Sequence, residues 1–212
     1  MKYSTILFDF DGTLAHSTAA IMDAIRESLT YHGLDFEKHK EIFKDGIGKP
    51  MIEIYIKYFG AKKAKEIRKT HIEIQHKHFH KYILLDGAME TLKILKAQGI
   101  STAIVTSANR PKMEALVADL KLKDYISYLV TLEDVKEAKP HPEGILKAMR
   151  ELDAQPSSTL MVGDSEADIR AASHAGIDSV GVTYGTLGKE INKYHPTYTI
   201  DSFTDLIKII RV

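Results

Sequence analysis

The 212-residue chain carries 29 lysines and arginines against 29 aspartates and glutamates, a formal net charge of zero, with 44% hydrophobic residues and no cysteine. Balanced charge excludes the basic face that draws proteins to nucleic acid or anionic lipid, and the missing cysteines exclude disulfides, thiolate metal sites and cysteine nucleophiles. No apolar run is long enough to span a bilayer and the first residues form no signal-peptide stretch, so the expectation is a cytoplasmic, soluble protein whose partner is a small molecule; a monomer is plausible and the oligomeric state is open.

In chain order, the first element is "TILF", residues 5–8, a short apolar run of interior-strand type that stops at Asp9, Asp11, Gly12 and Thr13. Residues 15–82 then show no strand alternation. "STAAIMDAIRESLTYHG" puts Ile21, Ala24, Ile25 and Leu29 on one helical stripe, with Ser17 as N-cap and Gly33 as stop. "MIEIYIKYF" and "KKAKEIRKTHIEIQHKHFHKY" are predicted helical as well. From residue 86 helices and strands alternate. "GAMETLKILKAQG" is followed by the strand "TAIVT", and Pro111 suits the first turn of "PKMEALVADL" before the strand "YLVT". Pro142 opens "PEGILKAMREL"; "TLMVG", "EADIRAASHAG", "SVGVT" and a last helix near "FTDLIKII" complete the series. Strands separated by short helices imply a parallel sheet covered on both faces. The prediction is a doubly wound, Rossmann-like α/β core built from residues 1–14 and 83–212, with an all-helical cap inserted at residues 15–82.

Open parallel sheets bind ligands beyond the carboxyl ends of their strands. After the first strand come Asp9 and Asp11; after "TAIV" come Thr106, Ser107 and Asn109; past "YLVT" comes Lys139; after "TLMV" come Asp164 and Asp168. Two acids one residue apart at a strand end disfavour each other unless a cation sits between them. Hard carboxylate oxygens suit Mg²⁺, which keeps open positions for water and a phosphoryl oxygen. Thr106, backbone N–H groups and Lys139 can neutralise the remaining phosphoryl oxygens. One carboxylate can then attack phosphorus, and another can serve as acid for the leaving group and base for water.

The motifs "DFDGT", "TSAN", "KP" and "GDSEAD", in this order, resemble the four motifs of the haloacid dehalogenase-like hydrolase superfamily, over residues 4 to about 185. The resemblance implies Asp9 as nucleophile and Asp11 as general acid/base. It also implies Mg²⁺ held by the Asp9 side chain, the Asp11 main-chain carbonyl and Asp164, with Asp168 supporting the metal or Lys139. Thr106, Ser107 and Lys139 would bind the phosphoryl group. Dehalogenases and phosphonate-cleaving members of the superfamily lack an acid where Asp11 stands, so the resemblance is to its phosphatase branch. The tail from "VGVTYGTLG" onward resembles phosphoglycolate phosphatases and their pyrophosphatase relatives most. His16 stands where many relatives have an acid, and Asp86 where they often have proline.

Two further stretches admit a ligand reading. His76 and His80 have the four-residue spacing of zinc ligands but no third ligand, and "QHKHFHKY" reads as a solvated helix face. "GIGKP", residues 46–50, lacks the spacing of a nucleotide phosphate loop and reads instead as a cap loop reaching the substrate, with Lys49 as a specificity residue. The expected activity is Mg²⁺-dependent hydrolysis of a small phosphorylated metabolite, such as a phosphoglycolate-like monoester, through an aspartyl-phosphate. The alternatives are a phosphomutase of the β-phosphoglucomutase type, a pyrophosphatase, and a phospho-acceptor module without turnover.

Overall fold

The structure is a computed structural model that describes residues 2–210; the first residue and the last two of the expected core lie outside the described residues. The strands are β1 (Thr5–Phe8), β2 (Ala15–His16), β3 (Ile83–Leu84), β4 (Ser101–Val105), β5 (Tyr128–Val130), β6 (Thr159–Gly163), β7 (Asp178–Val182) and β8 (Tyr198–Ile200). The helices are α1 (Thr18–Tyr31), α2 (Lys40–Lys44), α3 (Met51–Gln75), α4 (Ala88–Ala97), α5 (Arg110–Asp119), α6 (Glu143–Glu151), α7 (Glu166–Ala175) and α8 (Leu206–Ile210). Six strands form one sheet in the order β5-β4-β1-β6-β7-β8, and every pair in it is parallel.

Chain order reverses beside β1: β4 and β5 lie on one side of it, β6 to β8 on the other. Ligand crevices of doubly wound sheets open at such a reversal. β1 is buried throughout, which is why it shows no polar alternation. Phe8 pairs with Ile104 on one side and Val162 on the other. That register sets the ends of three strands level, so Asp9, Thr106 and Asp164 emerge together. Apolar cores fill both faces: Phe8, Leu92, Leu116 and Val180 belong to one, Leu7, Val105, Ile145 and Met161 to the other.

Every regular element between β2 and β3 is helical. The chain leaves the sheet and returns to it through one small antiparallel ladder, Ala15 against Leu84 and His16 against Ile83. The insertion has its own apolar cluster, with Ile25, Leu29, Phe43, Tyr55 and Ile67 fully buried. α1 carries the anticipated stripe, and Gly33 stops it in the left-handed region at φ 68°. Ser17 takes the N-cap position without a side-chain cap bond. α3 is two helices joined at Gly60, whose φ of 75° and ψ of 158° are not helical.

Several elements differ from the sequence reading, the short α2 among them. The "YTI" strand β8 and the two-residue β2 and β3 are additional, too short to show a period. The stretch His76–Lys81 is a 3₁₀ helix that ends the long helix early. The last helix is a 3₁₀ turn, Phe203–Asp205, running into the short α8. No helix among the described residues is long and apolar enough to cross a membrane.

Candidate active site

Asp9 is the first residue past β1, and its N–H donates to Val162 O at 2.9 Å, which fixes its backbone against β6. One carboxylate oxygen, Oδ1, accepts from Lys139 Nζ at 2.6 Å; the other, Oδ2, is buried and has no hydrogen-bond partner. Lys139 comes from the loop after β5 and donates also to Asp168 Oδ1 at 2.6 Å and Val105 O at 2.8 Å. Burial works against the Lys139 charge, but Asp168 and Asp9 outweigh it and hold the ammonium well above the usual lysine range. Asp168 is itself fixed, because its Oδ2 accepts from Ser165 N–H and Oγ at the start of α7, a capping box.

Asp164 is the first residue past β6 and accepts from Thr186 N–H through Oδ2 at 2.7 Å. Gly12, at φ 86°, sits so close that a Cβ there would collide with Asp164 Oδ2. Both the left-handed backbone and the contact therefore demand glycine after Asp11. Burial, then the nearby Asp168, pushes the Asp164 carboxyl up to about 6. Burial also pushes Asp9 well above the ordinary range, Asp168 and Asp164 adding to it and Lys139 opposing.

The carboxylates of Asp9, Asp164 and Asp168 each bring an oxygen within 4.8 Å of the others. Three acids against the single Lys139 ammonium leave an excess of two negative charges. A hard divalent cation is what such a set fits, and the buried Asp9 Oδ2, without a hydrogen-bond partner, marks the set as short of a ligand. Asp168 is the least free of the three, since both its oxygens already accept hydrogen bonds.

Asp11 has a different neighbour, one that the sequence reading did not single out. Lys112 Nζ donates to both Asp11 oxygens, at 2.9 and 3.1 Å, and its side chain is 7% exposed. The ammonium lies 4.9 Å from the centre of the Tyr82 ring, which in turn stacks on Phe10. Burial opposes the Lys112 charge; Asp11 and Tyr82 overcome this and raise it. Lys112 reaches the site because Asn109 caps α5, its side chain accepting from Lys112 N–H at 3.0 Å. The strand-end rule that found Thr106 extends to this first helical turn.

Thr106 and Ser107 stand where expected. Thr106 is buried, its Oγ1 accepting from Ala108 N–H at 3.1 Å, and the Ser107 hydroxyl is buried without a partner. Asp9, Asp11, Thr106, Ser107 and Lys112 form one wall of a cavity of about 70 Å³; the helical insertion supplies the other, including Lys49, Arg68, His71 and Gln75. Lys49 sits on the loop between α2 and α3, next to Gly48, where a Cβ would come into van der Waals contact with Ser165 at 3.9 Å. The loop thus reaches across to the core. His16 lies elsewhere, exposed on β2, and is not part of the cavity wall. Sequence alone gave no sign of Arg68, His71 or Gln75, since a polar residue on a helix reads as solvated until its facing partner is known.

Comparison with known proteins agrees with this arrangement. A family model described as haloacid dehalogenase-like hydrolase matches residues 6–182. Pyrophosphatase PpaX of Bacillus mycoides strain KBAB4 is 32% identical over 99% of this chain and 98% of its own. A Bacteroides fragilis protein named for the haloacid dehalogenase-like hydrolases is 31% identical, with a TM-score of 0.87 over 97% of this chain and 100% of its own. A crystal structure from Haemophilus somnus 129pt, described as a predicted phosphoglycolate phosphatase, is 26% identical, with a TM-score of 0.83 over 99% and 98%.

Proposed function

The chain belongs to the haloacid dehalogenase-like hydrolase family, and from that premise we propose a Mg²⁺-dependent phosphatase that works through an aspartyl-phosphate on Asp9. The observation that carries this reading is the asymmetry of Asp9: Oδ1 tied to Lys139, Oδ2 buried and unpartnered beside the cavity. A carboxylate held by one oxygen presents the other as a nucleophile.

Asp9 Oδ2 attacks phosphorus, and the bond from phosphorus to the leaving-group oxygen breaks. Asp11 gives that oxygen a proton where the leaving group needs one, and then takes a proton from water. The resulting hydroxide attacks the phosphoryl group, the bond to Asp9 breaks, and orthophosphate departs with the carboxylate restored. Lys139 and the Thr106–Ser107 segment bear on the phosphoryl oxygens. Mg²⁺, held by the Asp9 and Asp164 side chains and the Asp11 main-chain carbonyl, would supply charge neutralisation at the phosphoryl group. Asp168 serves by orienting Lys139. The insertion at residues 15–82 acts as a cap that excludes bulk water from the phospho-enzyme.

The substrate is a small phosphorylated metabolite. The relatives' names favour two: a phosphoglycolate-like monoester, from the Haemophilus somnus structure, and pyrophosphate, from PpaX. Asp9→Asn tests the nucleophile. With Mg²⁺ and p-nitrophenyl phosphate, turnover should fall at least about 1,000-fold; turnover within ten-fold of the wild type would overturn the assignment.

A further inference from the structure

Nucleophile and metal chemistry leave one side of the cavity without a duty. Arg68, His71 and Gln75 are three and four residues apart on the second half of α3, so they share one helix face, and all three line the cavity. None of the insertion's ion pairs among the described residues includes Arg68, nor do they include Lys49. Nor does Arg68 pair with the cavity's own carboxylates: both Asp11 oxygens accept from Lys112, and Asp9 is bound through Oδ1 to Lys139 with its Oδ2 left without a partner. Gln75 is 7% exposed and its side-chain nitrogen has no hydrogen-bond partner. A buried, unpaired amide donor costs stability unless a ligand satisfies it.

His71 completes the set. Its Nδ1 meets the Tyr55 hydroxyl at 2.8 Å. Burial keeps that phenol protonated, so the phenol donates to Nδ1 and the imidazole proton resides on Nε2. Burial first, then the Lys112 and Arg68 charges, pushes His71 down to about 3, which leaves the ring neutral. A guanidinium, an imidazole N–H and an unpartnered amide N–H₂ thus give this wall an excess of donors, the Gln75 carbonyl oxygen being the set's one acceptor. The sole carboxylate in this stretch of α3 after Glu66, Glu73, is exposed and lies off the cavity wall. Donor-rich walls complement acceptor-rich ligands, and a guanidinium among them favours an oxyanion.

We propose that Arg68, His71 and Gln75 form a subsite for an oxyanion carried by the leaving group, so that the substrate is a compact phosphate compound with a second anionic group. This rests on the phosphatase reading above. Lys49 supports it with a second unpaired charge on the same side. Size points the same way: the cavity is about 70 Å³, which favours a compact second group, such as a phosphate or a short carboxylate arm, over a hexose or nucleoside. The shared chemistry is an oxyanion two to four bonds from the transferred phosphorus.

The test compares kcat/KM for three substrates of matched size: pyrophosphate, phosphoglycolate, and ethyl phosphate, whose tail is neutral. In the wild type, pyrophosphate or phosphoglycolate should exceed ethyl phosphate, and whichever leads identifies the source of the oxyanion. Arg68→Gln should cut that preference about 100-fold, chiefly through KM, while Arg68→Lys keeps part of it and Gln75→Leu loses about ten-fold. A preference that is unchanged, or equal losses on all three substrates, would overturn the subsite. Calorimetry on Asp9→Asn with pyrophosphate gives a readout independent of turnover. Adding Arg68→Gln should weaken binding about 100-fold, and equal binding would reject the subsite. Failure of the phosphatase reading looks different: the wild type then hydrolyses none of the three, and Asp9→Asn changes nothing.

Discussion

Lys112 and Lys139 are both buried ammonium groups, yet they answer to different carboxylates. Lys139 bridges Asp9 and Asp168, while Lys112 holds Asp11 alone. Removing one member of a buried pair strands the other charge, which costs about 3–5 kcal/mol, whereas removing both can be nearly neutral. Lys112→Met should therefore lose about 3 kcal/mol in urea denaturation, and Asp11→Asn with Lys112→Met should recover most of it. Additive losses would show that the two side chains do not act as a pair. Glycine matters here as a matter of space. At Gly12 the backbone turns into the left-handed region against the Asp164 carboxylate, so the residue after Asp11 is fixed by its neighbour across the sheet.

Among elements, α3 illustrates what periodicity reveals and what it hides. Its apolar residues marked both halves as helical, but Gly60 redirects the second half so that Arg68, His71 and Gln75 face the cavity. No atom lies within 4 Å of a Cβ built at Gly60. Gly60→Ala therefore meets no clash, and its cost is that of the positive-φ, extended-ψ backbone alone, about 1–3 kcal/mol. Equilibrium unfolding should show that loss; unchanged stability would mean that the two helices run on as one. β1 shows the opposite case. Its four buried residues and the acids behind them were legible at once, because a strand buried on both faces has no polar period to confuse the reading.

For the whole molecule, two bodies meet over one charge excess. The core gathers Asp9, Asp164 and Asp168 against one ammonium, and burial raises both Asp9 and Asp164. A carboxyl whose folded value lies above its unfolded value binds more protons when folded, so its ionisation destabilises the fold as pH rises through that value. For Asp164 the window runs from about 4 to about 6, and at pH 7 the penalty is fully present. A bound cation relieves it. Mg²⁺ at 100 times its dissociation constant should add about 2.7 kcal/mol, a rise in Tm of several degrees for a chain of this size. Asp164→Asn should remove most of the Mg²⁺ response. A Tm indifferent to Mg²⁺ from micromolar to 10 mM, about four decades, would count against the metal site.

The sequence by itself determined the alternation of strands and helices, the helical insertion, and the strand-end residues Asp9, Asp11, Thr106, Ser107, Lys139, Asp164 and Asp168 as one set. Local signals suffice for these, since a buried strand, a helix cap and a parallel sheet's binding edge each leave a mark within a few residues. Only the tertiary structure decided that Lys112 belongs to Asp11, that Asp168 bonds Lys139, and that Arg68, His71 and Gln75 look into the cavity. These are pairings between residues as much as 101 positions apart. Nothing in the local pattern of a helix tells a cation facing water from one facing another domain's acids, because both present the same residue at the same period. The difference lies in what the fold brings opposite.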